Sequence, residues 1–339
     1  MTLRIIQVGL GGWGQNWAKA IVAKNKDVET TAWVEIDAPS LEAARKRLDL
    51  PAEKCFTSLS EALDTVPADA VLVTASLPGH VPSARTALLA NKHVLMEKPF
   101  APTVAEAMEL IELAEERGLT LMISQNYRFE PAARAAAEAI AQQKIGRLST
   151  INIDFRRYDN TAPVDEHRHY HIWEPLLVDM TIHHFDLMRL VIGQDPVQVI
   201  CKTWNAPWSK YDEPAEGAMT ITFDGGAVVN YRGSWVSTGP KTNWAGEWHM
   251  EGEKGELVWT SRGELPESAE LRLLGETEST ALELPTIAEH DRAGSLAAFV
   301  TALKTKTVPE TSGRDNLKTL ALMFAAIESA KTGQPVDVQ

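Results

Sequence analysis

Arg4-Ile5-Ile6-Gln7-Val8-Gly9-Leu10-Gly11-Gly12-Trp13-Gly14 decides the fold of this chain. An apolar run rich in β-branched residues reads as a buried strand, and residues 17 to 24 after the glycines read as a helix. Between strand and helix each glycine has a separate job. One makes a tight turn, one lets backbone approach a pyrophosphate, and one lets helix pack closely on strand. The helix N-terminus adds free N–H groups and a positive dipole end. Gly9, Gly11, Gly12, Trp13 and Gly14 are therefore expected at a dinucleotide site.

A second strand, 30 to 36, ends in Glu35 and Asp37, about 20 residues past the last glycine, where a carboxylate meets the adenosine ribose. Glu35 is the preferred partner. Its charge would repel the 2′-phosphate of NADP, and no arginine follows before Arg45, so NAD is expected and NADP is disfavoured. Further on, strands at 70–75, 93–96 and 119–124 alternate with helices at 41–48, 60–65, 81–90 and 104–117. That rhythm implies a parallel, doubly wound α/β sheet with ligands at the carboxyl ends of its strands. Two loops at those ends, Ser76 to His80 and Glu97-Lys98-Pro99, should border the nicotinamide end of the cleft. Ser76 to His80 reads equally well as a turn with helix-capping residues.

Lys98 is a charged side chain at the point where an apolar strand gives way to proline, which cannot continue the ladder. Its counterpart lies in the apolar helix from Pro175 to Gly193, where Asp179, His183 and Asp186 fall on one narrow stripe at helical spacing. A buried carboxylate or imidazole needs partners or a wet cleft. Flanking carboxylates orient an imidazole and suit it to proton exchange near neutral pH. Oxidising a secondary alcohol requires a base at the hydroxyl and a cation for the developing alkoxide. His183 as base, Asp179 orienting it and Lys98 as cation meet that requirement.

Taken in order, Gly9-Leu10-Gly11-Gly12-Trp13-Gly14, Glu97-Lys98-Pro99, Asn126-Tyr127-Arg128-Phe129, Asp179-x-x-x-His183-x-x-Asp186 and Ala326-Ile327-Glu328-Ser329-Ala330 resemble the glucose-fructose oxidoreductase, inositol dehydrogenase and rhizopine-catabolism (Gfo/Idh/MocA) family over essentially the whole chain. The resemblance implies a Rossmann domain, 1–124, then an α+β domain, 125–339, for substrate binding and oligomerisation. The second is expected on a large, open, mostly antiparallel sheet, with the C-terminal helices free to pack back on the first. Strand-like runs at 149–156, 197–203, 218–223, 227–234, 247–251, 256–260, 270–274 and 280–284 agree. It also implies Lys98, Asp179 and His183 as the catalytic set, Glu97 and Asn126 near the cofactor, and a cis Lys98-Pro99 peptide.

On the substrate side, His167, His169 and His171 alternate before the helix, a metal geometry if the segment is extended. Hydride transfer to a nicotinamide needs no metal, so none is expected. Hydrogen bonding to a polyol is the preferred reading, with Trp173 as a platform for a sugar face and Arg128, Arg156, His167 and His169 as donors. The expected function is an NAD-dependent dehydrogenase of a sugar, glycoside, sugar acid or cyclitol. A silent NAD- or sugar-sensing protein, or a dehydrogenase of a non-sugar such as a dihydrodiol, is the alternative.

The net charge of −13 lacks the basic clustering of a nucleic-acid surface. Two distant cysteines, Cys55 and Cys201, suggest no disulfide framework and fit a reducing compartment. With no membrane-length apolar stretch and no room for a signal peptide before the glycine motif, a cytoplasmic protein is expected. An apolar outer sheet face, with few helices left to cover it, would make the chain a homodimer or homotetramer.

Overall fold

Leu3–Val8 (β1) is extended because its apolar and β-branched side chains suit a sheet covered on both faces, and Ile5, Ile6 and Val8 are buried. The computed structural model describes residues 2–339. After β1 come α1 (Gly12–Asn16), β2 (Val28–Val34), α2 (Ala38–Leu48), β3 (Cys55–Phe56), α3 (Leu59–Thr65), β4 (Ala70–Val73), α4 (Leu77–Leu89), β5 (His93–Met96), α5 (Val104–Glu116) and β6 (Leu121–Ile123). All six strands pair in parallel in the order β3-β2-β1-β4-β5-β6, so the winding reverses between β1 and β4. This is the doubly wound sheet read from the sequence, and such a reversal opens a ligand crevice at the carboxyl ends.

Two local features differ from the sequence reading. β3 is only two residues long, too short to show a period. The segment Pro78-Gly79-His80, read as loop, is the first turn of α4. Proline is at home there because the first N–H groups of a helix have no partner within it.

The chain divides into two units, Met1–Asn126 with Glu289–Leu317, and Tyr127–Ala288 with Lys318–Gln339. The second contains α6 (Pro131–Ala141), β7 (Leu148–Arg156), α7 (Ile182–Ile192), β8 (Pro196–Trp204), β9 (Glu216–Phe223), β10 (Val228–Ser234), β11 (Glu247–Gly252), β12 (Gly255–Thr260), β13 (Ser268–Leu273) and β14 (Thr280–Ala281). Then α8 (Asp291–Thr305) belongs to the first unit, where Lys304 Nζ reaches Asp27 at 2.7 Å. The division falls inside α9 (Gly313–Thr332), and β15 (Val336–Asp337) closes the chain.

The second sheet has nine strands in the order β14-β13-β12-β11-β7-β10-β9-β8-β15, antiparallel except where β7 meets β10. Alternation along its strands buries Ile151, Ile153, Phe155, Met219, Ile221, Tyr231, Trp248 and Met250 on the inner face. The outer face is not the apolar surface expected. Asp154 there pairs with Arg232 at 2.6 Å, and Arg156 with Glu247 at 2.7 Å, while β8 exposes Ile200 and Trp204. Among the described residues, no helix is long and apolar enough to cross a membrane.

Candidate active site

Strand register builds the first half of the site. Val8 pairs with Val34 and Val73, and Val73 with Met96, so the residues that follow, Gly9, Glu35, Thr74 and Glu97, reach one edge of the sheet together. Gly9 sits at φ +92°, and a Cβ there would stand 2.4 Å from Ala75 Cα; one on Gly14 would stand 1.9 Å from the Gly9 carbonyl oxygen. Only glycine fits either position. Thr74 Oγ1 donates to the Gly9 carbonyl at 2.8 Å, and Gln7 Nε2 donates to the Gly14 carbonyl at 2.7 Å, tying the turn down from beneath. Gly11 and Gly12 differ, since a Cβ on either would meet nothing within 4 Å. Gly11 caps α1 without a side-chain hydrogen bond, so the outer side of the turn is bare backbone. That shape fits a dinucleotide pyrophosphate.

The two acids after β2 have different tasks. Asp37 caps α2, accepting from Ser40 N at 2.9 Å. Glu35 Oε2 accepts from Leu10 N at 2.8 Å, which holds its half-buried carboxylate against the glycine turn.

Glu97 is buried and accepts the Trp17 indole N–H at 2.6 Å and Lys98 N at 3.1 Å. Burial pushes its carboxyl above the usual carboxylate range, although the Trp13 and Trp17 indoles and the Lys98 charge pull it down. The exposed Trp13 ring carries the Arg292 guanidinium 4.1 Å above it. Lys98 is half-buried, and its peptide bond to Pro99 is cis. His80 is buried, with Nδ1 2.8 Å from the Pro99 carbonyl and Nε2 3.0 Å from the Ala75 carbonyl, so it braces the two loops against each other. Burial holds its pKa below the ordinary histidine value. Ser76 is exposed at the N-cap of α4, and buried Asn126 donates to Asp291.

In the second unit, the polar stripe rides on a helix of two kinds. Pro175–Thr181 is a π-turn and α7 follows it, so simple α-helical spacing does not describe Asp179. The three stripe residues have distinct neighbours. Asp186 forms a buried two-pronged pair with Arg128, Nε to Oδ2 at 2.6 Å and NH2 to Oδ1 at 2.8 Å. His183, 6% exposed, lies flat on the Tyr127 ring, centroids 4.1 Å apart and planes 3° apart. Asp179 Oδ2 is 3.2 Å from His169 Nε2. Adjacent His184 is fully buried between Tyr231 and the Trp244 carbonyl.

The segment before the helix is not extended. It folds as two short 3-10 turns, Val164–Glu166 and Arg168–His171, because local backbone bonds such as Tyr170 N to the His167 carbonyl replace a ladder partner. His167 and His169 converge on Asp159, while His171 turns away to Asp212 at 2.6 Å. Burial lowers the His169 pKa, but Asp159 and Asp179, one on each ring nitrogen, outweigh it and raise the value to about 9. The Trp235 ring meets His169 edge-on at 4.6 Å.

Among the substrate-side expectations, Arg128 is spent on Asp186, and Arg156 faces outward, bound to Asp154 and Glu247. Alternation explains the latter, since the neighbouring Phe155 takes the inner face. Trp173 is exposed, with Lys331 Nζ 5.7 Å from its ring centre. Sequence reasoning missed Asp159, Tyr211 and Arg292, which lie in irregular chain or at a helix start with no motif around them. Only the closeness of Asp159 to the histidines hinted at its part.

The fold and the glycine edge define a dinucleotide-binding enzyme. Residues 3–125 match the oxidoreductase family model with an NAD-binding Rossmann fold, and residues 133–258 match the GFO/IDH/MocA C-terminal domain. The chain belongs to the GFO/IDH/MocA oxidoreductase family. It is 30% identical to the uncharacterized protein y4oX of Sinorhizobium fredii, across 100% of this chain and 96% of that one. It is 27% identical to the 1,5-anhydro-D-fructose reductase of Ensifer adhaerens, across 84% of each. In fold it is similar to the aldose-aldose oxidoreductase of Caulobacter crescentus, with a TM-score of 0.84 over 99% of this chain and 100% of that one, at 21% identity.

Proposed function

We propose that the chain is an NAD-dependent dehydrogenase acting on a secondary alcohol of a sugar, glycoside, sugar acid or cyclitol, in either direction. The observation that carries this reading is His183, buried and held flat on Tyr127 in a helix whose buried residues are mostly apolar. An imidazole so fixed, on the same helical segment as the partly exposed Asp179, suits proton exchange with a bound hydroxyl. The backbone of Gly9, Gly11, Gly12 and Gly14 would hold the pyrophosphate and Glu35 the ribose, with Trp13, Ser76, Glu97 and Asn126 around them and His80 bracing the loops. Bound there, NAD supplies the hydride acceptor. Glu35 favours it over NADP by charge.

Lys98 stabilises negative charge on the reacting oxygen, a ring nitrogen of His183 takes the hydroxyl proton, and Asp179 orients the imidazole. The polar group of Asp179, His169 and His167 suits a polyhydroxylated substrate, with Trp173 as a flat platform. Relatives named as a 1,5-anhydro-D-fructose reductase and a D-apiose dehydrogenase support a sugar-like substrate. Assembly as a homodimer or homotetramer is part of the proposal, resting only on the exposed Ile200 and Trp204 of β8 at one side of an otherwise ion-paired sheet face. A monomer in light scattering would rule it out.

The test is NAD reduction over a panel of polyols by the wild type, Lys98→Ala and His183→Ala. Turnover in the wild type that neither substitution slows would overturn the mechanism.

A further inference from the structure

We propose that Asp159, His167 and His169 form a binding site for one divalent transition-metal cation of the zinc, manganese or iron type. One ligand atom from each of Asp159, His167 and His169 lies within 4.8 Å of the other two. Both imidazole nitrogens approach the same carboxylate oxygen, at 3.0 Å from His167 and 2.7 Å from His169. The Tyr211 hydroxyl sits 2.8 Å from that oxygen and 2.8 Å from His169 Nδ1. Ligand atoms about 2.1 Å from an ion stand about 3.0 Å apart when it is six-coordinate and about 3.4 Å when it is tetrahedral. The Asp159–His167 spacing of 3.0 Å is near that of a ligand pair, and the Asp159–His169 hydrogen bond of 2.7 Å opens by a few tenths of an ångström on binding.

A second observation concerns the far side of His169. Its Nε2 is 3.2 Å from Asp179 Oδ2. Metal-binding histidines characteristically carry such a carboxylate on the nitrogen that does not face the ion, where it fixes ring orientation and strengthens the ligand. Two imidazoles and one carboxylate suit zinc, manganese or iron better than magnesium or calcium, which favour all-oxygen shells. His171 is outside the set, committed to Asp212 and to the Val164 carbonyl at 3.2 Å.

Binding replaces any proton on the two nitrogens that face the ion, and that proton leaves to solvent. Three protein ligands leave positions for water or for hydroxyl oxygens of a bound molecule. The site would also join the 159–171 segment to the π-turn that carries Asp179. The cluster shares His167, His169 and Asp179 with the substrate side of the proposed dehydrogenase, but metal uptake is read without turnover, so either reading can fail while the other stands.

The experiment is calorimetric titration of the full chain, stripped with chelator, with zinc chloride and manganese chloride, alongside the visible absorption of the cobalt(II) adduct. The expected result is uptake of one equivalent per chain. Affinity should fall at least about tenfold in Asp159→Asn and in His167→Ala, and be unchanged in His171→Ala. No stoichiometric uptake by the wild type would overturn the proposal. So would uptake that survives both ligand substitutions in variants whose circular dichroism matches the wild type.

Discussion

Arg128 and Asp186 are locked in a two-pronged ion pair, with side chains 6% and 1% exposed and a shortest N–O distance of 2.6 Å. It joins the first turn of the second unit to α7, one turn beyond His183. Removing one partner leaves the other charge buried without this counter-charge. Arg128→Ala should therefore lower stability by about 3–5 kcal/mol, seen as a lower urea midpoint. Replacing both residues by apolar ones of similar size, Arg128→Met with Asp186→Leu, should recover most of that. A single Arg128→Ala variant as stable as the wild type would show that the pair carries no such weight.

Glu35 is fixed at the glycine turn by Leu10 N, whereas Asp37 is occupied as a helix cap. Glu35→Ala should weaken NAD binding about tenfold or more, the worth of a hydrogen bond to a charged acceptor, and narrow the preference over NADP. Asp37→Ala should cost helix stability of about 1 kcal/mol and leave NAD affinity nearly intact. Calorimetric titration with both dinucleotides reads these effects, and an Asp37→Ala loss larger than the Glu35→Ala loss would reverse the assignment.

His184 supplies a pH test. Burial depresses its pKa to about 4, against the backbone bond to Trp244, which raises it. A histidine neutral when folded takes up its proton more readily when unfolded, so its stabilising contribution is present above about pH 6.5 and is lost as pH falls toward 4. The full loss is about 3 kcal/mol. The urea midpoint should drop more steeply from pH 7 to pH 5 in the wild type than in His184→Gln. Parallel slopes would contradict the buried neutral imidazole.

The first sheet was legible because its signals are local. Glycines, β-branched runs and alternating periods from Arg4 to Ser124 each act within a few residues. In the second unit most strands were legible from alternation. The partners of its polar residues were not, because they are set by packing between segments far apart in sequence. Asp186 reads as a flank to His183 until Arg128, 58 residues away, is seen to claim it. Helical spacing alone does not describe Asp179, since the π-turn from Pro175 to Thr181 changes the angle per residue. Nothing in the sequence joined Tyr211 to His169, 42 residues away, and only nearness in the chain hinted at Asp159. Arg156 faced outward through strand alternation, which a one-residue uncertainty in strand phase conceals.

The most direct test of the account measures steady-state NADH formation over a polyol panel by the wild type, His183→Ala and Lys98→Ala, with NAD affinity measured alongside. The account predicts turnover of at least one polyol by the wild type and a fall in kcat of about a hundredfold or more in each variant, with NAD still bound. Variants that turn over as fast as the wild type, or a wild type that binds NAD and oxidises no polyol, would contradict it.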